Sequence, residues 1–286
     1  MSQFQIITDS CSDLTPELIE ELGLCVIPMV IEYQGKSFHE GEISMEEIYG
    51  GLRQGEVSKT AAINPETWAN TMEPFLKDGT DVLVISFSSG LSSTYQSAVI
   101  AGEELKEQYP DRGIRVIDSL CASMGQGLLV WYAARHQAEG ESLDQVADWV
   151  EAHKQNLCHW FTVDDLMFLK RGGRISGATA VMGTMLQIKP VLHVDNEGHL
   201  ISMAKARGRK AALQMLVEKL QKTGLPGEND TVFLSHGDCL EDAQLVAGLL
   251  KERCGVKNVV IGYIGGVIGS HAGPGTVALF FLGDHR

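Results

Sequence analysis

The stretch Val82-Leu83-Val84-Ile85-Ser86-Phe87 constrains the fold more than any other part of the chain. It is a short, continuous, β-branched apolar run, and it breaks at Ser88-Ser89-Gly90 before entering a helix-like segment through Ser92, Ser93 and Thr94. A strand apolar on both faces belongs in a parallel sheet covered on both sides. The helix start beyond it offers free backbone N–H groups and a positive dipole end, which suit a carboxylate or a phosphate. The same pattern also describes a well-capped strand-to-helix turn.

The remaining chain supplies alternating elements. Gln3–Thr8 reads as a first strand ending at Asp9-Ser10, and Thr15-Pro16 opens a helix that stops at Gly23. Cys25–Tyr33 reads as a second strand, Ser44 and Glu47 have capping-box spacing, and Asn64-Pro65 starts a helix reaching Lys77. Gly113–Ile117 is a strand ending at Asp118-Ser119. A long apolar helix follows, then one capped by Ser142 and Gln145. Strand ends carrying Asp9-Ser10, Ser86–Ser89 and Asp118-Ser119 would share the carboxyl edge, where open α/β sheets bind ligands.

Near residue 158 the texture changes. Trp160–Val163 is a strand and Asp164–Leu169 a short helix, with a small-residue helix expected at Ser176–Leu186. Ile188–Val194 and His199–Ala204 form a hairpin across Asp195-Asn196-Glu197-Gly198. Further strands at Thr231–Ser235, Val259–Ile264 and Thr276–Leu282 alternate with helices. The expected architecture is α/β with two domains. Residues 1–157 carry a Rossmann-like parallel sheet and residues 158–286 a mixed sheet, with the last strand free to return onto the first domain.

Composition narrows the function. A net charge of −14 over 286 residues argues against nucleic acid or an anionic membrane as partner. No basic, apolar leader opens the chain, and the uncharged segment Val259–Gly283 is too glycine-punctuated for a membrane span. Six scattered cysteines without a C-x-x-C pair read as reduced thiols in a cytoplasmic protein.

Nucleotide motifs fail on their spacing. Gly125-Gln126-Gly127 runs into Val130 where a third small residue is needed, and Gly35-Lys36-Ser37 lacks the earlier P-loop glycine. A serine hydrolase using Ser92 and His271 is conceivable, but Thr94 occupies the last glycine position of a nucleophile elbow. No metal-ligand spacing stands out. The loop Gly265–Gly275 allows close approach or positive φ angles, and His271 within it can hydrogen-bond an anion. Two basic islands, Lys170/Arg171/Arg174 and Lys205/Arg207/Arg209/Lys210, would suit a phosphate or an acidic protein surface.

Together, several motifs resemble the DegV family of bacterial fatty-acid-binding proteins, which includes the binding partner of bacterial fatty acid kinase. They are Ile7-Thr8-Asp9-Ser10 with Asp13-Leu14, Ser88–Ala98, Val116-Ile117-Asp118-Ser119, Leu169–Ser176, Lys189-Pro190, Ala206–Lys210 and Ser270–Gly275. The resemblance covers nearly the whole chain. It implies two α/β domains with a long-chain fatty acid, such as palmitate or oleate, buried between them. It places the carboxyl group on Thr60, Ser92 and His271, with Ala61, Ser93, Ser270 and Gly273 as neighbours. It also makes Arg174 and Arg207 the contacts to a kinase or to phosphate during transfer. The chain departs from the family where Thr60-Ala61-Ala62-Ile63-Asn64-Pro65 replaces Thr-Ser-Gln-Pro-Ser-Pro, and where Ser93 replaces a glycine.

The resemblance therefore implies a carrier that presents its acid to a separate kinase for acyl-phosphate formation. It implies no catalytic residue, cofactor or metal of the carrier's own. The competing readings are the hydrolase and a binder of small anions such as phosphosugars.

Overall fold

The computed structural model describes residues 4–175 and 188–286. The chain begins with β1 (Phe4–Asp9), α1 (Pro16–Glu21), β2 (Cys25–Ile27), β3 (Val30–Tyr33), β4 (Lys36–His39), α2 (Met45–Arg53) and β5 (Lys59–Ala61). It continues with α3 (Pro65–Lys77), β6 (Asp81–Ser86), α4 (Thr94–Gln108), β7 (Ile114–Asp118), α5 (Met124–Ala138), α6 (Leu143–His153), β8 (Leu157–Thr162) and α7 (Met167–Arg171). The last elements are β9 (Ile188–Val194), β10 (Leu200–Arg207), α8 (Arg209–Thr223), β11 (Thr231–His236), α9 (Leu240–Cys254), β12 (Asn258–Tyr263), α10 (Gly266–Ala272) and β13 (Val277–Leu282). The small-residue helix expected at Ser176–Leu186 lies outside the described residues.

Three sheets form, in the orders β2-β1-β6-β7, β10-β9-β8-β13-β11-β12 and β4-β3-β5. The first is all parallel, as the unbroken apolar run of its central strand β6 suggests. The second is mixed: β11 pairs with β12 in parallel and with β13 antiparallel. The last strand is hydrogen-bonded between β8 and β11, inside the second sheet, while Ala278, Phe280 and Leu282 share a core with α5.

Helix α5 explains how the sheets meet. It packs on β1 and β6 of the first sheet and on β8, β11 and β13 of the second, and Leu128, Leu129, Val130 and Ala133 are all buried. Residues 124–130 are buried all round, so the first turns of the helix sit between layers. Gly125 and Gly127 permit this: an added Cβ would collide with the His159 ring at the first and stand 2.6 Å from the Ser12 carbonyl at the second.

Two sequence expectations need correction. Cys25–Tyr33 is two strands, split at Pro28-Met29; β2 joins the parallel sheet and β3 the small antiparallel one. Proline lacks the N–H that a continuous interior strand requires. Residues 266–272, expected as loop, are helical. Among the described residues no helix is long and apolar enough to cross a membrane, and all six cysteines are free thiols.

Candidate functional site

A cavity of about 300 Å³ lies among β8, β13, α10, the segment following β6 and the segment preceding α5. Phe87, Leu91, Phe161, Leu169, Val194, Leu200, Val267, Ile268 and Phe280 give it a mainly apolar wall. Its polar groups include Thr60, Ser92, Ser93, Arg174 and His271. A second cavity of about 400 Å³ shares Thr60, Arg174 and His271 with the first, and adds Lys59, Arg171, Ser58 and Ser270.

Thr60 comes from β5 and His271 from the last turn of α10; Thr60 Oγ1 and His271 Nε2 are 2.8 Å apart. Burial, with the Arg174 guanidinium nearby, pushes the His271 imidazole down to about 4, so the ring is neutral at neutral pH. Its Nδ1 is buried and has no hydrogen-bond partner among the described residues. Arg174 Nε donates to the Leu91 carbonyl at 3.2 Å, tying the cation to the turn before α4.

At that turn the capping differs from a simple hydroxyl N-cap. Ser93 occupies the cap position without a side-chain bond. Ser92 Oγ accepts the Thr94 N–H at 3.3 Å and lies 2.9 Å from Thr94 Oγ1. Thr94 Oγ1 in turn accepts the Ile63 N–H at 3.4 Å, which brings the segment following Thr60 against the helix start.

The strand-end aspartates expected at a ligand edge serve the backbone. Asp9 is fully buried, accepts the Phe87 and Cys11 N–H groups at 2.8 and 3.1 Å, and is pushed up to about 6 by burial. Asp118 Oδ1 accepts the Ser89 and Leu120 N–H groups. Asp9 thus holds the end of β6, and Asp118 the turn that follows it.

The residues expected to neighbour the carboxyl group divide. Ser270 lines the second cavity, where Ser58 Oγ donates to it at 2.6 Å. Ser93 lines the first. Ala61 is exposed and lines neither described cavity, and Ala62 lines the first in its place. Gly273 ends α10 at φ 79° against Phe168, also outside both linings. Arg174 stands in both walls, whereas Arg207 is exposed at the end of β10 and lines neither.

Sequence reasoning missed Ser123 and His159, which also face the first cavity. His159 Nε2 accepts the Ala122 N–H at 3.2 Å and Nδ1 lies 3.0 Å from the Leu157 carbonyl, so both ring nitrogens are partnered. Burial holds it well below the usual histidine range. The adjacency of Cys158 and His159 is plain in the sequence, but nothing local places the ring in a cavity.

Among the described residues Ser92 and His271 are not paired as a hydrolase triad would pair them. Ser92 bonds Thr94 and His271 bonds Thr60; no hydrogen bond joins the serine to the histidine among the described residues. No carboxylate among them orients Nδ1, and the charge that depresses the ring is the Arg174 cation.

Comparison with known proteins identifies the family. A DegV domain-containing protein of Clostridium perfringens is 43% identical over 289 residues, covering 100% of this chain and 99% of its own. A Thermus thermophilus DegV family protein described for its fatty acid binding superposes with TM-score 0.88 at 31% identity, over 98% of this chain and 99% of that one. A DegV family protein of Ruminococcus gnavus solved with vaccenic acid gives TM-score 0.89 at 26% identity, over 98% and 100%. The family profile described as "Uncharacterised protein, DegV family" matches residues 3–284, and the chain belongs to the DegV family.

Proposed function

We propose that this chain binds a long-chain fatty acid in the first cavity, with the carboxyl group at Thr60, Ser92 and His271. The observation that carries the reading is one apolar chamber whose wall includes two hydroxyls and a neutral histidine. Burying an acyl chain yields roughly 0.8 kcal/mol per CH₂, which gives most of the affinity to the tail. A buried carboxyl group must be hydrogen-bonded. The hydroxyls and the imidazole can donate to its oxygens, and the Arg174 cation favours its ionised form. The fatty-acid-binding relatives from Thermus and Ruminococcus support the ligand class.

The proposed role is to present that acid to a fatty acid kinase in the cytoplasm. Thr60, Arg174 and His271 border both cavities, so a carboxyl group held there faces the second chamber. Lys59 and Arg171, both exposed, line that chamber and would attract a phosphoryl donor. The kinase would move a phosphoryl group from its nucleotide to a carboxylate oxygen. The carrier's residues orient the acid and do not attack it. Arg207 belongs to this scheme only as a surface contact for the kinase.

The test is denaturing extraction of the purified protein followed by mass spectrometry, then reloading of stripped protein with labelled palmitate or oleate. One acyl chain per polypeptide is expected. Protein that carries no fatty acid and cannot be loaded with one overturns the reading.

A further inference from the structure

Helix α10 is short and intrinsically weak. It has only seven residues, and Gly266 and Gly269 inside it are poor helix formers, at about 1 kcal/mol each relative to alanine. Those glycines are there for close approach: an added Cβ would meet Ile48 Cδ1 at 2.5 Å from Gly266 and Tyr49 Oη at 2.5 Å from Gly269. Val267 and Ile268 pack in the same core as Ile48 and Tyr49, while hydrogen bonds donated by the Gly265 N–H and, to Glu40 Oε1 at 3.0 Å, by the Val267 N–H fix where the helix begins.

Asp13 supplies such a bond from the far end of the sequence. It follows β1 in a left-handed conformation, φ 49°, and is buried. Its Oδ1 accepts the Gly265 N–H at 3.0 Å, immediately before α10. Its Oδ2 is hydrogen-bonded to the hydroxyl of Ser123, a residue of the cavity wall. Ser123 Oγ is also 2.9 Å from Ser235 Oγ on β11. One side chain from the first half thus ties together the cavity wall, the second sheet and the start of the histidine helix, without lining the cavity itself.

We infer that Asp13 is a positioning residue for the acid-binding site, fixing the start of α10 and thereby the place at which His271 presents its imidazole. His271 lies six residues beyond Gly265, about 9 Å along the helix axis, so a shift at Gly265 is carried to the ring. This inference rests on the fatty-acid-binding reading for its functional meaning. Burial, with the Glu40 and Asp9 carboxylates nearby, holds the Asp13 carboxyl well above the usual range. That favours the neutral acid, whose shape an amide reproduces.

The experiment compares Asp13→Ala and Asp13→Asn by His271 ring NMR in the ligand-free protein and by equilibrium binding of palmitate. Asp13→Ala is expected to shift the His271 ring resonances and to weaken binding at least tenfold. Asp13→Asn, which still accepts the Gly265 N–H, is expected to stay within about threefold of wild type with the ring unshifted. A folded Asp13→Ala protein with unchanged His271 resonances overturns the inference, as does an asparagine variant as impaired as the alanine one. If Asp13→Ala does not fold, the Ser123→Ala/Ser235→Ala protein is expected to shift the same resonances, and an unshifted ring there overturns it too. Because the ring is read without ligand, wild type that binds no fatty acid would refute the proposed function and leave this result standing apart.

Discussion

Thr60 Oγ1 lies 2.8 Å from His271 Nε2, joining the edge strand of the small antiparallel sheet to the helix that precedes the last strand. Neither group is charged, so their contact is a neutral hydrogen bond open to sharing with a carboxyl oxygen. Thr60→Val keeps the shape and removes the hydroxyl. Losing one hydrogen bond to an ionised group costs about 1.5–3 kcal/mol, so palmitate binding is expected to weaken by roughly ten- to a hundredfold, read by displacement of a fluorescent fatty acid.

The depressed imidazole has a consequence for stability. His271 titrates near 4 in the folded protein against 6.5 in the unfolded chain. Between those values the unfolded state binds the extra proton, so stability falls as pH is lowered through that window. The loss is absent above about pH 6.5 and complete below about 4, worth roughly 3 kcal/mol for this one group. His159 and His193 act in the same direction, so the measurement is a difference. The unfolding free energy of wild type relative to His271→Gln is expected to decline from pH 7 to pH 4, by urea titration at each pH.

Ser92 is expected to be unreactive. Its Oγ accepts the Thr94 N–H, lies 2.9 Å from Thr94 Oγ1 and has no base beside it among the described residues, so a fluorophosphonate probe should leave the protein unlabelled at neutral pH. Ser92→Ala should lower fatty-acid affinity. Labelling at Ser92 would revive the hydrolase.

The Ser88–Gly90 turn is pressed against the β9–β10 hairpin. A Cβ on Gly90 would stand 2.7 Å from the Glu197 carbonyl and 2.9 Å from that of Gly198, and both are backbone groups that cannot swing away. Ser88 Oγ also donates to the Gly198 carbonyl at 2.9 Å. Gly90→Ala is expected to destabilise the protein by about 1–3 kcal/mol, seen as a lower urea midpoint.

What is legible in the sequence is local. Ser142 and Gln145 form both arms of a capping box, and Asn64 caps the helix opened by Pro65, because such signals need only three or four residues. Thr60, Ser92 and His271 do line one cavity, although family resemblance gathers them; spacing could not. The small antiparallel sheet escapes such a reading because β4 and β5 are four and three residues long and mostly exposed, leaving no period to read. Helix α10 escapes it because glycines that permit close approach also argue against a helix; packing against Ile48 and Tyr49 overrides that propensity. Asp13 cannot be seen as part of the site at all, since its partner Gly265 is 252 positions away.

The placement of β13 between β8 and β11 sets an order of events during synthesis. Strand β8 can pair with β9 soon after synthesis, but it and β11 wait for β13, which joins them. The parallel first sheet can close early, since β1, β2, β6 and β7 all lie in the first half. The second sheet cannot. Ala278 and Phe280, which face the chamber, arrive with β13 itself. A nascent chain of this protein therefore has no finished chamber until β13 has been made, and under the proposed function the acid can enter only after that.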